Sequence, residues 1–318
     1  MPSAAESLIL VAILCAVFAS LPVAMLVRRF MGTPAPQPAQ NAPADVPAYA
    51  PADAPVSHYA PPMADLLPPP LPELPPVEPW TRKDAIFAVI LALVVGLLMG
   101  PGVLLLLGDP GDQGEAPEMK FSVSLFVTQI VFQAGVIGVI VAYLTVHRKF
   151  RLAALFGLRV MGVAKTLGVA VLWLAGAYVM LVLISAGLEP LLKQLTGLDL
   201  KPQGLVESAP DITDPATQAL MFVTLCIGAP LMEELIFRGV LFNVAARCIH
   251  PVYASVSTSL LFGVIHNNLL SFIPLTLLGL CFAEAYRRTR SLAVPVLMHS
   301  LFNCISFLAI TNGITNAP

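Results

Sequence analysis

The stretch GAPLMEELIFRGVLF, residues 228–242, sets two adjacent carboxylates and a guanidinium inside a run that is otherwise apolar. What Glu233, Glu234 and Arg238 are doing there depends on the surroundings of that run. The 318-residue chain is 57% hydrophobic and only 11% charged, against about 25% charged residues in soluble domains. Several apolar runs reach about 18 residues or more, enough to span a bilayer as helices. The stretch is therefore read as part of a membrane-spanning helix. A charge at bilayer depth costs at least about 2.5 kcal/mol and persists there only when it is paired or used.

Working outward, the chain divides into three regions. Residues 1–32 hold a first apolar run, Ser7–Val27, closed by Arg28 and Arg29. No basic residue precedes the run, and it is long for the core of a signal peptide, so it is expected to be a retained N-terminal anchor helix. Residues 33–80 form a proline-rich linker, with 16 of the chain's 30 prolines between 33 and 79. Such a composition gives an extended segment without a core. Its LPPPLPELPP, residues 67–76, is the kind of segment that a polyproline-binding partner takes, with a plain spacer as the default. Residues 81–318 form a membrane domain. Spans are expected near 85–107, 121–146, 164–187, 216–237, 253–268, 270–286 and 292–312. With the anchor, the expectation is an all-α polytopic bundle of about eight transmembrane helices.

Charge sets the orientation. If the anchor ends in the cytoplasm, 14 of the 17 Lys and Arg residues fall on cytoplasmic segments, and only Lys120, Lys193 and Lys201 fall outside. The positive-inside rule then places the N-terminus outside and the linker and basic loops inside. No basic patch with interleaved aromatics exists, which argues against a nucleic-acid partner. The lipid bilayer is the expected environment. Cys15, Cys226, Cys248, Cys281 and Cys304 form no CxxC and read as reduced residues of the membrane core.

Helical spacing sorts the charges of the opening stretch. Glu234 and Arg238 lie four apart on one face and can pair. Glu233 points roughly 140° away and needs another partner. Two further spans carry polar residues at the same spacing: Phe262 with His266, and His299 with Asn303. His266 and His299 are the two histidines inside expected spans, and both fall in the C-terminal half with Glu233. A carboxylate and an imidazole can share a water and remove its proton. A second imidazole and an amide can donate to a developing oxyanion. Together these groups suit hydrolysis of an amide bond. Zinc is the competing reading, with Glu233, His266 and His299 as three ligands and one open position. The sequence lacks HExxH, the local motif that usually carries such a zinc; a metal-free, cofactor-free site is favoured and zinc is kept open.

EELIFR (233–238), FGVIH (262–266) and HSLFN (299–303) match the patterns EExxxR, FxxxH and HxxxN. In this order, on three helices within 216–312, they resemble the CPBP family, also called the Abi or CAAX protease family. It includes type II CAAX prenyl endopeptidases and bacteriocin-processing or self-immunity proteins. The resemblance implies an intramembrane endopeptidase acting on a membrane-associated protein or peptide, from a cavity open to the cytoplasm. It implies Glu233 as general base with His266, and His299 with Asn303 as the oxyanion-stabilising pair. Glu234, Arg238 and Phe262 are left as supporting residues. The alternatives are a non-proteolytic membrane scaffold or immunity factor, and a transporter using the buried acids for proton coupling.

Overall fold

The computed structural model describes residues 5–14, 16, 82–99, 122–151, 153, 156–157, 161–198, 210 and 212–312. The proline-rich linker expected over 33–80, and most of the anchor, lie outside the described residues. Among the described residues the regular elements are all helices, with no strand. The helices are α1 (Ala5–Leu14), α2 (Arg82–Met99), α3 (Val123–His147) and α4 (Val163–Thr196). They continue with α5 (Pro215–Cys248), α6 (Pro251–Val264), α7 (Leu269–Thr289) and α8 (Ala293–Thr311).

Five segments, in α3, α4, α5, α7 and α8, are long and apolar enough to cross a membrane. Val131, Leu172, Val179, Val182 and Leu183 point outward from α3 and α4, as lipid-facing side chains should. The chain is thus an integral, multi-pass membrane protein. The expected count of eight spans is not established, because α1 is described over ten residues and α6 has only fourteen. At 1.5 Å per residue α6 reaches about 21 Å, short of a hydrocarbon core of about 30 Å. The span expected over 253–268 thus ends early. Residues 265–268 form a turn, with Asn267 in the left-handed region at φ 50°. Asn268 then caps α7, its Oδ1 accepting from Ser271 N at 2.8 Å. Non-helical backbone at this depth is tolerated where it is buried in protein or lines a cavity.

One end of the bundle gathers the basic segments. Arg148 Nε lies 3.1 Å from Asp84 Oδ1, and Tyr143 donates its hydroxyl to the same oxygen at 2.5 Å. The segment after α3 reaches the α7–α8 turn, where Ser291 Oγ donates to Phe156 O at 2.7 Å. Gly157, at φ 62°, packs against Ser291 so closely that a side chain would strike its backbone. Asn243 near the end of α5 donates to Tyr286 Oη at 3.0 Å. The start of α2, the ends of α3, α5 and α7, and the starts of α6 and α8 therefore share this end. At the opposite end, Asp214 caps α5. Its Oδ2 accepts from Thr217 Oγ1 and Thr217 N at 2.6 and 2.8 Å, which holds the carboxyl below the usual carboxylate range.

Helix α5, expected over 216–237, runs on to Cys248 with two wider, π-helical stretches at Val223–Gly228 and Leu235–Leu241. The first ends at Gly228, two residues before Pro230. Proline has no N–H to give and its ring crowds the carbonyl four residues back, so a widened turn there relieves the clash. Between the two stretches lies one short regular segment, Ala229–Glu234, which ends on the two acids.

Candidate active site

Glu234 and Arg238 pair as their spacing requires, Arg238 Nη1 donating to Glu234 Oε1 at 2.8 Å. Both are fully buried. The other side of the guanidinium donates from Nη2 to Gly279 O on α7 at 2.6 Å. Three phenylalanine rings surround it, with Arg238 Cζ 5.1 Å from the Phe262 ring centroid, 5.4 Å from Phe282 and 5.7 Å from Phe237. Each cation–π contact of a desolvated guanidinium is worth up to about 2 kcal/mol. Gly279 permits this approach: a Cβ there would sit 3.1 Å from the Phe262 ring and 3.4 Å from Arg238 Nη2.

The sequence leaves Glu234 with one partner; the structure gives it two. His299 Nδ1 lies 3.1 Å from the same Oε1 that holds Arg238. The His299 ring also stacks on Phe282, centroids 5.0 Å apart, and meets Phe262 edge-on at 5.8 Å. With its Nδ1 hydrogen on Glu234, a neutral His299 offers a lone pair at Nε2, and only the imidazolium donates from both nitrogens. Nε2 faces Glu233, 4.0 Å from its Oε2. That gap is too long for a direct hydrogen bond but allows one water to bond both groups. Glu233 Oε2 is buried without a hydrogen-bond partner.

His266 stands in the turn beyond α6, its Nδ1 2.7 Å from Phe262 O. A hydrogen on Nδ1 then leaves Nε2 as an acceptor. Helix α6 rises about 20 Å from Pro251 to Val264, and His266 follows it in the turn. Asn303 donates from Nδ2 to Leu225 O at 2.8 Å, within the first π-helical stretch of α5. One amide hydrogen is committed to holding that stretch, and the other remains to donate.

Glu233, Phe262, His266, His299 and Asn303 all line one cavity of about 770 Å³. Glu234 and Arg238 stand behind its wall. The walls are largely apolar and include Phe126, Leu188, Leu275, Phe302 and Phe307. The resemblance implied an opening toward the cytoplasm, on the side of the basic loops. The cavity is lined by the first half of α3, α5 and α7 and the far ends of α4, α6 and α8. That is the half of the bundle away from the basic end.

Zinc, the competing reading, would need Glu233, His266 and His299 as ligands. Among the described residues, no group of three or more His, Cys, Asp or Glu side chains is placed to hold a metal ion. His299 holds Nδ1 on Glu234 and His266 holds Nδ1 on a backbone carbonyl, which leaves Nε2 as the open nitrogen of each ring.

Gln133, which the sequence reading passed over, also lines the cavity. It is buried, and its Nε2 donates to Thr224 O at 3.3 Å. A Cβ at Gly228 would lie 2.0 Å from its Oε1, so a side chain there would displace the amide. Gln133 and Asn303 thus clamp two successive carbonyls of the same π-helical stretch. Gln129 and Gln133, four apart in an apolar span, are the signal that was available. Phe282 and Gly279 gave none, because nothing local marks which ring or carbonyl a distant arginine will meet.

Residues 215–305 match the sequence model of a family described as type II CAAX prenyl endopeptidase Rce1-like. That match covers less than a third of the chain and includes every candidate residue on α5, α6 and α8, so the resemblance read from the three motifs holds for this region. The chain is 32% identical over 84 residues to "Putative membrane peptidase YdiL" of Bacillus subtilis, covering 26% of the chain and 34% of that protein. It is 34% identical over 155 residues to an uncharacterized 24.3 kDa protein of Escherichia coli, covering 45% of the chain and 64% of that protein. It is 40% identical over 81 residues to the membrane-embedded CAAX protease MroQ of Staphylococcus aureus, covering 23% and 32%. In each case the chain spans less than two thirds of the relative's length. No solved structure matches.

Proposed function

We propose that the protein is an intramembrane endopeptidase that hydrolyses a peptide bond of a membrane-associated protein or peptide. The observation that carries this reading is the convergence of Glu233, His266, His299 and Asn303 on one apolar-walled cavity. Behind them lies a buried Glu234–Arg238 pair that also fixes His299. The region's likeness to a CAAX prenyl endopeptidase family supports the same reaction class.

Water is activated at Glu233, whose free Oε2 takes its proton while the oxygen attacks the scissile carbonyl carbon. His266, accepting at Nε2, orients this water. The carbonyl oxygen becomes an oxyanion, which takes hydrogen bonds from the second amide hydrogen of Asn303 and from His299 Nε2 in its doubly protonated form. The intermediate collapses with cleavage of the C–N bond, and Glu233 returns the proton to the leaving amine. No step needs a metal ion. By the positive-inside rule we assign the N-terminus to the outside and the linker to the cytoplasm.

The experiment is turnover by purified full-length protein on a panel of farnesylated and unmodified peptides, with Glu233→Gln alongside. Cleavage by the native chain and its loss in the folded variant support the reading. Undiminished cleavage by Glu233→Gln removes Glu233 as base. No cleavage of any peptide by folded native chain favours a scaffold or self-immunity role instead.

A further inference from the structure

We infer that the main-chain carbonyl of Leu270, freed by Pro274, is a docking point for a backbone N–H of the substrate, which is held extended along the first turns of α7. The inference rests on the peptidase reading for its substrate.

Pro274 stands inside α7. It has no N–H, so the carbonyl four residues back, that of Leu270, receives no bond from the regular helical ladder. Among the described residues no side chain, turn or loop donates to it. Leu270 and Pro274 lie one turn apart and both line the cavity, so the break in the ladder falls on the cavity face of the helix. The opposite face is packed: Phe272 O and Thr276 lie against Gly263 of α6.

Pro230 of α5 provides the contrast. Ala229 N donates to Thr224 O, five residues back, and the same step taken from residue 230 would serve Leu225 O. Proline cannot supply that bond, and Asn303 Nδ2 serves the carbonyl instead, at 2.8 Å. The protein thus fills the acceptor freed by Pro230 with a side-chain amide and leaves the one freed by Pro274 on the cavity face. A backbone acceptor in apolar surroundings needs a donor, and a substrate chain brings one. Its own N–H groups enter walls that include Leu275, Leu278 and Phe302, and they need acceptors there.

The position suits cleavage. Four residues of chain lead from His266 to Leu270, a span of at most about 14 Å. An extended peptide advances about 3.3 Å per residue, so the docked N–H belongs to a residue within about four of the scissile bond.

The test is Pro274→Ala in the full chain, which returns an N–H to the ladder and occupies Leu270 O from within. Peptides of the panel are made with one amide at a time, other than the scissile one, replaced by an ester, which deletes the N–H and nearly keeps the shape. Native protein should bind one such ester about 3- to 10-fold more weakly than its parent, the worth of one hydrogen bond. The loss is read as Kd by fluorescence anisotropy, and as KM with kcat little changed. Pro274→Ala should bind the parent more weakly by the same factor, melt no earlier than the native chain, and lose nothing further with that ester. Equal ester penalties in both proteins overturn the inference, as does a Pro274→Ala protein with native affinity for the parent. Pro274→Leu, which also restores the N–H, stands in if Pro274→Ala does not accumulate. Peptides bound but not cleaved by the native chain would sink the peptidase reading and leave the Kd comparison to decide the docking point. Failure of every peptide to bind the folded native chain would overturn both.

Discussion

Replacing Glu234 by glutamine tests the arrangement most directly, because one oxygen serves two partners. Oε1 accepts from Arg238 at 2.8 Å and from His299 at 3.1 Å, and both partners are buried. Glutamine keeps one acceptor but deletes the charge. Arg238 then retains only the Gly279 carbonyl and its three rings. Breaking a buried ion pair by removing one partner costs about 3–5 kcal/mol. The surviving hydrogen bond and aromatic contacts put the expectation near the lower end, about 3 kcal/mol. A second effect is separate. Without the carboxylate that fixes its Nδ1, His299 loses its tautomer and orientation, and removing such an orienting acid costs up to about 10⁴-fold in turnover. Thermal unfolding in detergent and turnover per folded molecule should therefore both fall. A Glu234→Gln protein that melts like the native chain would refute the ion-pair reasoning. One that melts early yet turns over normally per folded molecule would refute the positioning of His299.

Glu233→Gln should leave melting unchanged and lower turnover by at least about 10²-fold, since it removes the base and keeps the shape. Activity should survive dialysis against a strong chelator, with no stoichiometric zinc by elemental analysis; one zinc per chain, lost and restored together with activity, would replace this mechanism with Lewis-acid chemistry. Gly263→Ala should destabilise by about 1–3 kcal/mol, because its Cβ would lie 2.7 Å from Phe272 O, a backbone atom that cannot step aside; a native melting curve would show that α6 and α7 separate freely. Ser57→Cys in the linker should resist an impermeant reagent in intact cells, and ready labelling there would reverse the orientation.

Much of this was legible in sequence. Apolar runs located the helices, since burial in lipid demands them wherever the backbone must satisfy itself. Four-residue spacing paired Glu234 with Arg238 and set His299 beside Asn303 on one face of α8. Other features were not legible. The extension of α5 to Cys248 depends on π-helical stretches whose amphipathic phase differs from a regular helix, so the pattern breaks at Phe237 although the helix continues. The end of α6 at Val264 was hidden because Ile265 and His266 continue the apolar run. The contact of His299 with Glu234 joins residues 65 apart, and no local spacing encodes it. The half of the bundle that holds the cavity was beyond reach for a related reason: it depends on where side chains leave space, not on any one of them.

The two acids of the opening stretch face opposite requirements, and the structure separates them by a single residue. A carboxylate that holds a buried guanidinium must be dry and still. Glu234 is fully buried, bonded on Oε1 to Arg238 and His299 and walled in by Phe262 and Phe282 through its partners; its Oε2 has no hydrogen-bond partner but does not line the cavity. A carboxylate that takes a proton from water must keep an oxygen unspent beside a space that water can enter. Glu233 has such an oxygen, and it lines the cavity. Adjacent residues on a helix point about 100° apart, so one backbone can present one acid to the cavity and the other to the packed interior. The π-helical stretches on either side, clamped at Thr224 and Leu225 by Gln133 and Asn303 and at Arg238 and Gly239 by Asn243, fix that rotation. A clamp lost on either side should turn Glu233 away from His299 Nε2 before it unfolds the helix. Gln133→Leu, far from the acids in sequence, should therefore lower turnover per folded molecule while leaving most of the stability in place. Equal loss of both would make Gln133 a packing residue only.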